Sequence, residues 1–116
     1  AIGIGPFVIE PAVSRKIGKT ALAELSLAAG EWKSAAWAKE KGLYANTFET
    51  IEKLDDALSI LTRQLASYNP EALAEMKKVL WDGTSHWDTL LLDRAAITGT
   101  LVISEVTKKA LAAFKK

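Results

Sequence analysis

The feature that most constrains this chain is an apolar stripe between residues 51 and 65. Ile51, Leu54, Leu58, Leu61 and Leu65 recur at i, i+3, i+7, i+10 and i+14, a spacing that puts all five on one face of an α-helix. Alternation of period two, which a half-buried strand would need, is absent here and is nowhere else long enough to read as a sheet. Asn69-Pro70-Glu71 follows as N-cap, first helical residue and acidic first turn of another helix. That next helix would bury Leu73, Met76 and Leu80.

The rest of the chain reads the same way. Residues 1–11 hold Gly3, Gly5, Pro6 and Pro11, so they read as a loop, with a short extended piece over 7–9. Val13 and Ile17 share one face of a short helix beginning at Ala12 and ended by Gly18. Thr20 would cap a second helix carrying Leu22, Leu25 and Ala29, closed by Gly30. Ser34 would cap a helix over 35–41, with Gly42 as its left-handed stop. Residues 43–48 are a connector. Ser85 and Asp88 form a variant capping box ahead of a helix whose face is Trp87, Leu91, Ala95, Thr98 and Val102. Ser104 would cap a last helix with Val106, Ala110, Leu111 and Phe114 inside. The expected fold is mainly α, with six or seven helices and no internal repeat.

Composition narrows the chemistry. With no cysteine among 116 residues, disulfides, thiolate zinc sites and iron–sulfur clusters are excluded. That usage fits a reducing compartment, and a cytoplasmic location is expected. A net charge of +1 gives no pull toward nucleic acid or a membrane surface, so neither is expected as a partner. No apolar run approaches the ~20 residues of a membrane span. The apolar start has no basic flank and does not read as a signal peptide. It also lacks an initiator Met, which points to a cleavage site or the boundary of a longer chain.

No residue constellation announces catalysis. His86, the one histidine, sits beside Trp87 at a helix start and reads as a surface or capping residue. Gly3-x-Gly5 lacks the third glycine of a dinucleotide fingerprint and reads as a turn. Glu49, Glu52, Asp55 and Asp56 lie where carboxylates complement a helix dipole. Trp32, Trp37, Trp81 and Trp87 stand near helix ends, as core or subunit-interface residues. Lys108, Lys109, Lys115 and Lys116 crowd the last nine residues. They complement the final dipole, or else grip a phosphate-bearing ligand as point charges.

Several segments, in order, resemble the second half of the crotonase superfamily, the enoyl-CoA hydratase/isomerase type. Gly5-Pro6-Phe7 followed by SRKIGK at 14–19 resembles the loop and helix after the family's second catalytic region. TALAELSLA at 20–28 resembles its A-x-E-L-x-L-T-G helix, and SAAWAKEKGL at 34–43 its A-x-E-A-x-x-x-G-L-V helix and exit. Leu54 to Ala57, then LASYNPEAL at 65–73, resembles A-x-x-L-A-x-x-x-P-x-A-L, with Lys77 at a position where the family often has Lys. Ser104-Glu105 through Phe114 resembles the closing helix. Lys109-Ala110 stands where the family commonly has Glu-Gly, and Val8-Ile9 replaces its Gly-Gly. The Pro-Phe version of the loop is closer to the Δ3,Δ2-enoyl-CoA isomerase branch.

The resemblance implies the C-terminal helical half of a crotonase-like α/β spiral fold. Residues 1–48 would end the core, and 49–116 would form a helical oligomerisation region. It implies an enzyme that stabilises a thioester enolate in an oxyanion hole made by two backbone N–H groups, with one or two carboxylates moving the proton. Both the oxyanion hole and the acidic positions fall before Ala1, so no catalytic residue is carried over and residues 1–116 alone are expected to be inactive. What carries over is substrate binding. Pro6, Phe7 and Ile9 would wall the acyl pocket, Phe114 would lie near the CoA of a neighbouring subunit, and Lys115 or Lys116 would reach its phosphates. Glu10, in the pocket-side loop, reads as surface, with acid/base work as the alternative. The implied partners are acyl-CoA and copies of the same chain in a trimer or dimer of trimers. No cofactor is implied beyond the CoA of the substrate thioester. A helical oligomerisation or protein-interaction module without catalysis is the other reading of the same helices.

Overall fold

The computed structural model describes residues 3–114. They form six helices and, among the described residues, no strand: α1 (Glu10–Leu27), α2 (Ala35–Glu40), α3 (Ile51–Ser67), α4 (Pro70–Leu80), α5 (Trp87–Val102) and α6 (Glu105–Phe114). The mainly helical expectation is met. None of these helices is long and apolar enough to cross a membrane.

The chain gathers into two units, one of residues 1–45 with 87–116 and the other of 46–86. In the first unit, α1 begins at Glu10 rather than Ala12, because Pro11 needs no N–H donor in a first turn. Residues 7–9 are a turn and not an extended piece. The Glu10 amide donates to the Pro6 carbonyl and the Val13 amide to the Ile9 carbonyl, which winds the chain directly into α1. Gly18 does divide this helix. Its φ of 77° and ψ of 161° put a kink between two helical stretches, in a region open essentially to glycine alone.

Local chemistry accounts for α2. The Ser34 hydroxyl accepts from the Trp37 amide. At the other end Gly42 turns left-handed at φ 80°, the Gly42 amide donates to the Lys39 carbonyl, and that of Leu43 to the Ala38 carbonyl. That pair of bonds is a Schellman stop. Among the described residues, the buried ones of this unit are Pro11, Ala21, Leu22, Ala38 and Thr107, and α5 and α6 pack on each other.

On α5 the inner face is rotated from the expected one. Trp87, Leu90, Leu91, Arg94, Thr98 and Leu101 are the less exposed positions, while Ala95 and Val102 face outward. Arg94 takes an inner place, and its guanidinium reaches the Glu10 carboxylate at 3.7 Å. On α6, Val106 is 71% exposed and Thr107 is fully buried, so the inner face is set by Thr107 and not by Val106.

The second unit holds α3 and α4. Thr50 caps α3 by accepting from the Lys53 amide. Asn69 caps α4 by accepting from the amides of both Glu71 and Ala72. Asn69→Ala leaves those two donors to water, and is expected to cost about 1 kcal/mol in chemical denaturation. Asn69→Asp, which keeps an acceptor beside the helix dipole, should stay close to wild type. No residue of this unit is buried. The predicted stripe is present, yet Ile51, Leu58 and Leu61 remain 73%, 47% and 49% exposed.

Candidate functional site

Two places in the first unit hold side chains in defined arrangements. One is the turn ahead of α1. The Phe7 ring folds back over Gly5, so closely that a Cβ on Gly5 would lie 2.8 Å from the ring's Cζ. Glycine at that position leaves room for the far edge of the ring. Pro6 is exposed, Phe7 half-buried, and Ile9, the N-cap of α1, is exposed. Pro6, Phe7 and Ile9 thus share one turn on a single helix entry. Phe114 is the last residue of α6; its side chain, Lys115 and Lys116 lie outside the described residues, so the expected phosphate grip does too.

Glu10 lies at the start of α1, where its charge complements the helix dipole. Its carboxylate lies 3.7 Å from the Arg94 guanidinium. Arg94 is a residue the sequence pattern missed, since it sits one position away from the expected apolar stripe.

The second place is a hollow of about 310 Å³ between the end of α1 and α2, lined by Leu25, Trp32, Lys33, Trp37, Leu43 and Tyr44 among others. Lys33 holds it together. Its Nζ pairs with Glu24 at 2.8 Å and Glu31 at 3.0 Å, and it stands 6.0 Å above the centre of the Trp37 ring, within cation–π range. The hydrogen bond from Lys33 holds the Glu24 carboxyl below its ordinary value. The hydrogen bond to Glu24, then that to Glu31, holds the Lys33 ammonium above its own. An ammonium so stabilised keeps its proton and is no general base. Its work is to strap α1 to the loop before α2. Trp32 projects into solvent, fully exposed. Nothing in the spacing of Lys33 announced this strap, because Glu24 meets it only when α1 ends and the chain turns back.

Among the described residues, no group of three or more His, Cys, Asp or Glu is placed to hold a metal. The described residues therefore offer a helix-entry turn and an aromatic hollow edged by a lysine paired with two carboxylates. Set against protein-family models, curated proteins and solved structures, the chain matches none of them.

Proposed function

We propose that this chain is the C-terminal portion of an acyl-CoA enzyme of the enoyl-CoA hydratase/isomerase type, acting on a thioester enolate held in an oxyanion hole on a segment ahead of residue 1. The observation that carries this reading is the ordered series of segments that resemble the crotonase superfamily, spread over nearly the whole chain. The motif positions that stop or cap helices do so here. Ser34 caps α2, Gly42 stops it, and Asn69-Pro70 opens α4.

In this reading Pro6, Phe7 and Ile9 wall the acyl pocket, and Phe114, Lys115 and Lys116 serve the CoA of a neighbouring subunit. The enzyme is a cytoplasmic trimer or dimer of trimers, and its general acid and base come from the preceding segment. The test is turnover. The complete polypeptide carrying this sequence should hydrate or isomerise an enoyl-CoA thioester, followed by the absorbance of the conjugated thioester. Residues 1–116 alone should not. Absence of turnover across short and long acyl chains would sink the enzyme reading.

A second reading, a helical interaction module with no catalysis, is favoured by the uncovered apolar face of α3. It predicts concentration-dependent association of residues 46–86 without any thioester chemistry.

A further inference from the structure

Among the described residues, Thr107 alone is fully buried, at 0% exposure, in a chain whose apolar residues are mostly open to solvent. A polar side chain in that place is held by specific partners. The Ser104 hydroxyl donates to Thr107 Oγ1 at 3.1 Å, and the Thr107 amide donates to Ser104 Oγ at 3.3 Å. The other end of the chain lies against Thr107. A Cβ on Gly3 would fall 2.5 Å from Thr107 Oγ1 and 3.5 Å from Thr107 Cα. Gly3 also sits at φ 80°, which side chains rarely adopt. Gly3 therefore lies flush on the first turn of α6, and only glycine fits there on both counts.

We propose that Gly3 and Thr107 form a latch that holds the turn of residues 3–9 on the first turn of α6, making Thr107 a positioning residue for the acyl-pocket wall. The pocket-wall part rests on the function proposed above; the latch itself rests on geometry alone. Position 107 touches no substrate in this scheme. It acts through the backbone of Gly3 and, beyond it, through Pro6 and Phe7.

The test uses the complete polypeptide with Thr107→Ala, Thr107→Ser, Gly3→Ala and the Gly3→Ala/Thr107→Ala pair. Thr107→Ala should speed exchange of the Glu10 and Val13 amides, which close the turn by donating to Pro6 and Ile9, by about tenfold, with α3 amides unchanged, while Thr107→Ser keeps the hydroxyl and exchanges like wild type. Gly3→Ala should be milder in the Thr107→Ala background, since removing Oγ1 relieves the clash. If Gly3→Ala does not fold, the Thr107 variants decide alone. Unchanged exchange in the turn, or equal acceleration throughout α1, α2 and the turn, would overturn the latch.

For positioning, kcat should fall about tenfold in Thr107→Ala with KM within about twofold, and return in Thr107→Ser. Faster exchange with unaltered kcat overturns the positioning role and leaves the latch standing. If wild type turns over no enoyl-CoA, the functional reading fails, and the exchange pattern still decides the latch.

Discussion

Replacing both Leu58 and Leu61 by alanine in the complete polypeptide is expected to cost about 4 kcal/mol or more, and to weaken self-association. Both leucines sit on the α3 stripe and are about half exposed. Were that exposure final, each truncation would remove only part of a side chain's burial, and the pair would lose about 1–2 kcal/mol. If another chain or segment covers the stripe, each becomes a buried Leu→Ala at about 2–5 kcal/mol, cavity included. The unit built from α3 and α4 has about forty residues, none of them buried. Domains at or below that size usually need metals, disulfides or association to fold. Cysteine is absent from the sequence, and among the described residues no group of three or more His, Cys, Asp or Glu is placed to hold a metal, so cover by more protein is the expectation. Chemical denaturation at two protein concentrations, with sedimentation velocity alongside, measures both effects. A loss below about 1 kcal/mol with unaltered sedimentation would show that the stripe stays in solvent.

Gly18→Ala is the second large effect, at about 1–3 kcal/mol of destabilisation. No atom beyond its own stretch of backbone lies within 4 Å of where the new Cβ would stand, so no packed neighbour is in the way. The cost is conformational: φ 77° with ψ 161° is a backbone state that alanine strongly avoids. Straightening α1 to escape it would displace the stretch that carries Ala21 and Leu22, two of the few buried residues. Lys19→Ala, on the exposed neighbour, is the control and should stay within about 0.5 kcal/mol of wild type. If Gly18→Ala proves neutral or stabilising, helix propensity has won, and α1 runs unbroken through position 18.

Much of the local structure was legible because it is written in short-range chemistry. Ser34 and Asn69 each cap within three residues of their own position, and Gly42 stops α2 through bonds to Ala38 and Lys39. Such motifs need no knowledge of what the helix packs against. The misreadings came where a distant partner decides. Val106 looked like the inner residue of α6, but Thr107 is inside, with Gly3 from the far end of the chain against it. Ala95 looked like the inner residue of α5, but Arg94 turns in to meet Glu10. Of the candidate site, Pro6, Phe7 and Ile9 were named from sequence and share one turn; Thr107, Arg94 and Lys33 were not named.

By itself, then, the sequence determined that this chain is helical and where several of its helices start or stop. Caps, glycine stops and the 3.6-residue period act within one turn or two of the backbone. Only tertiary structure decided which face of each helix is covered. A Thr can be the most buried side chain when a glycine from the far end of the chain leaves room for it. A lysine can become a strap when two carboxylates converge on it. Neither convergence leaves a trace in local spacing, because contacts between distant residues are set by the packing of whole elements and not by the period of any one of them.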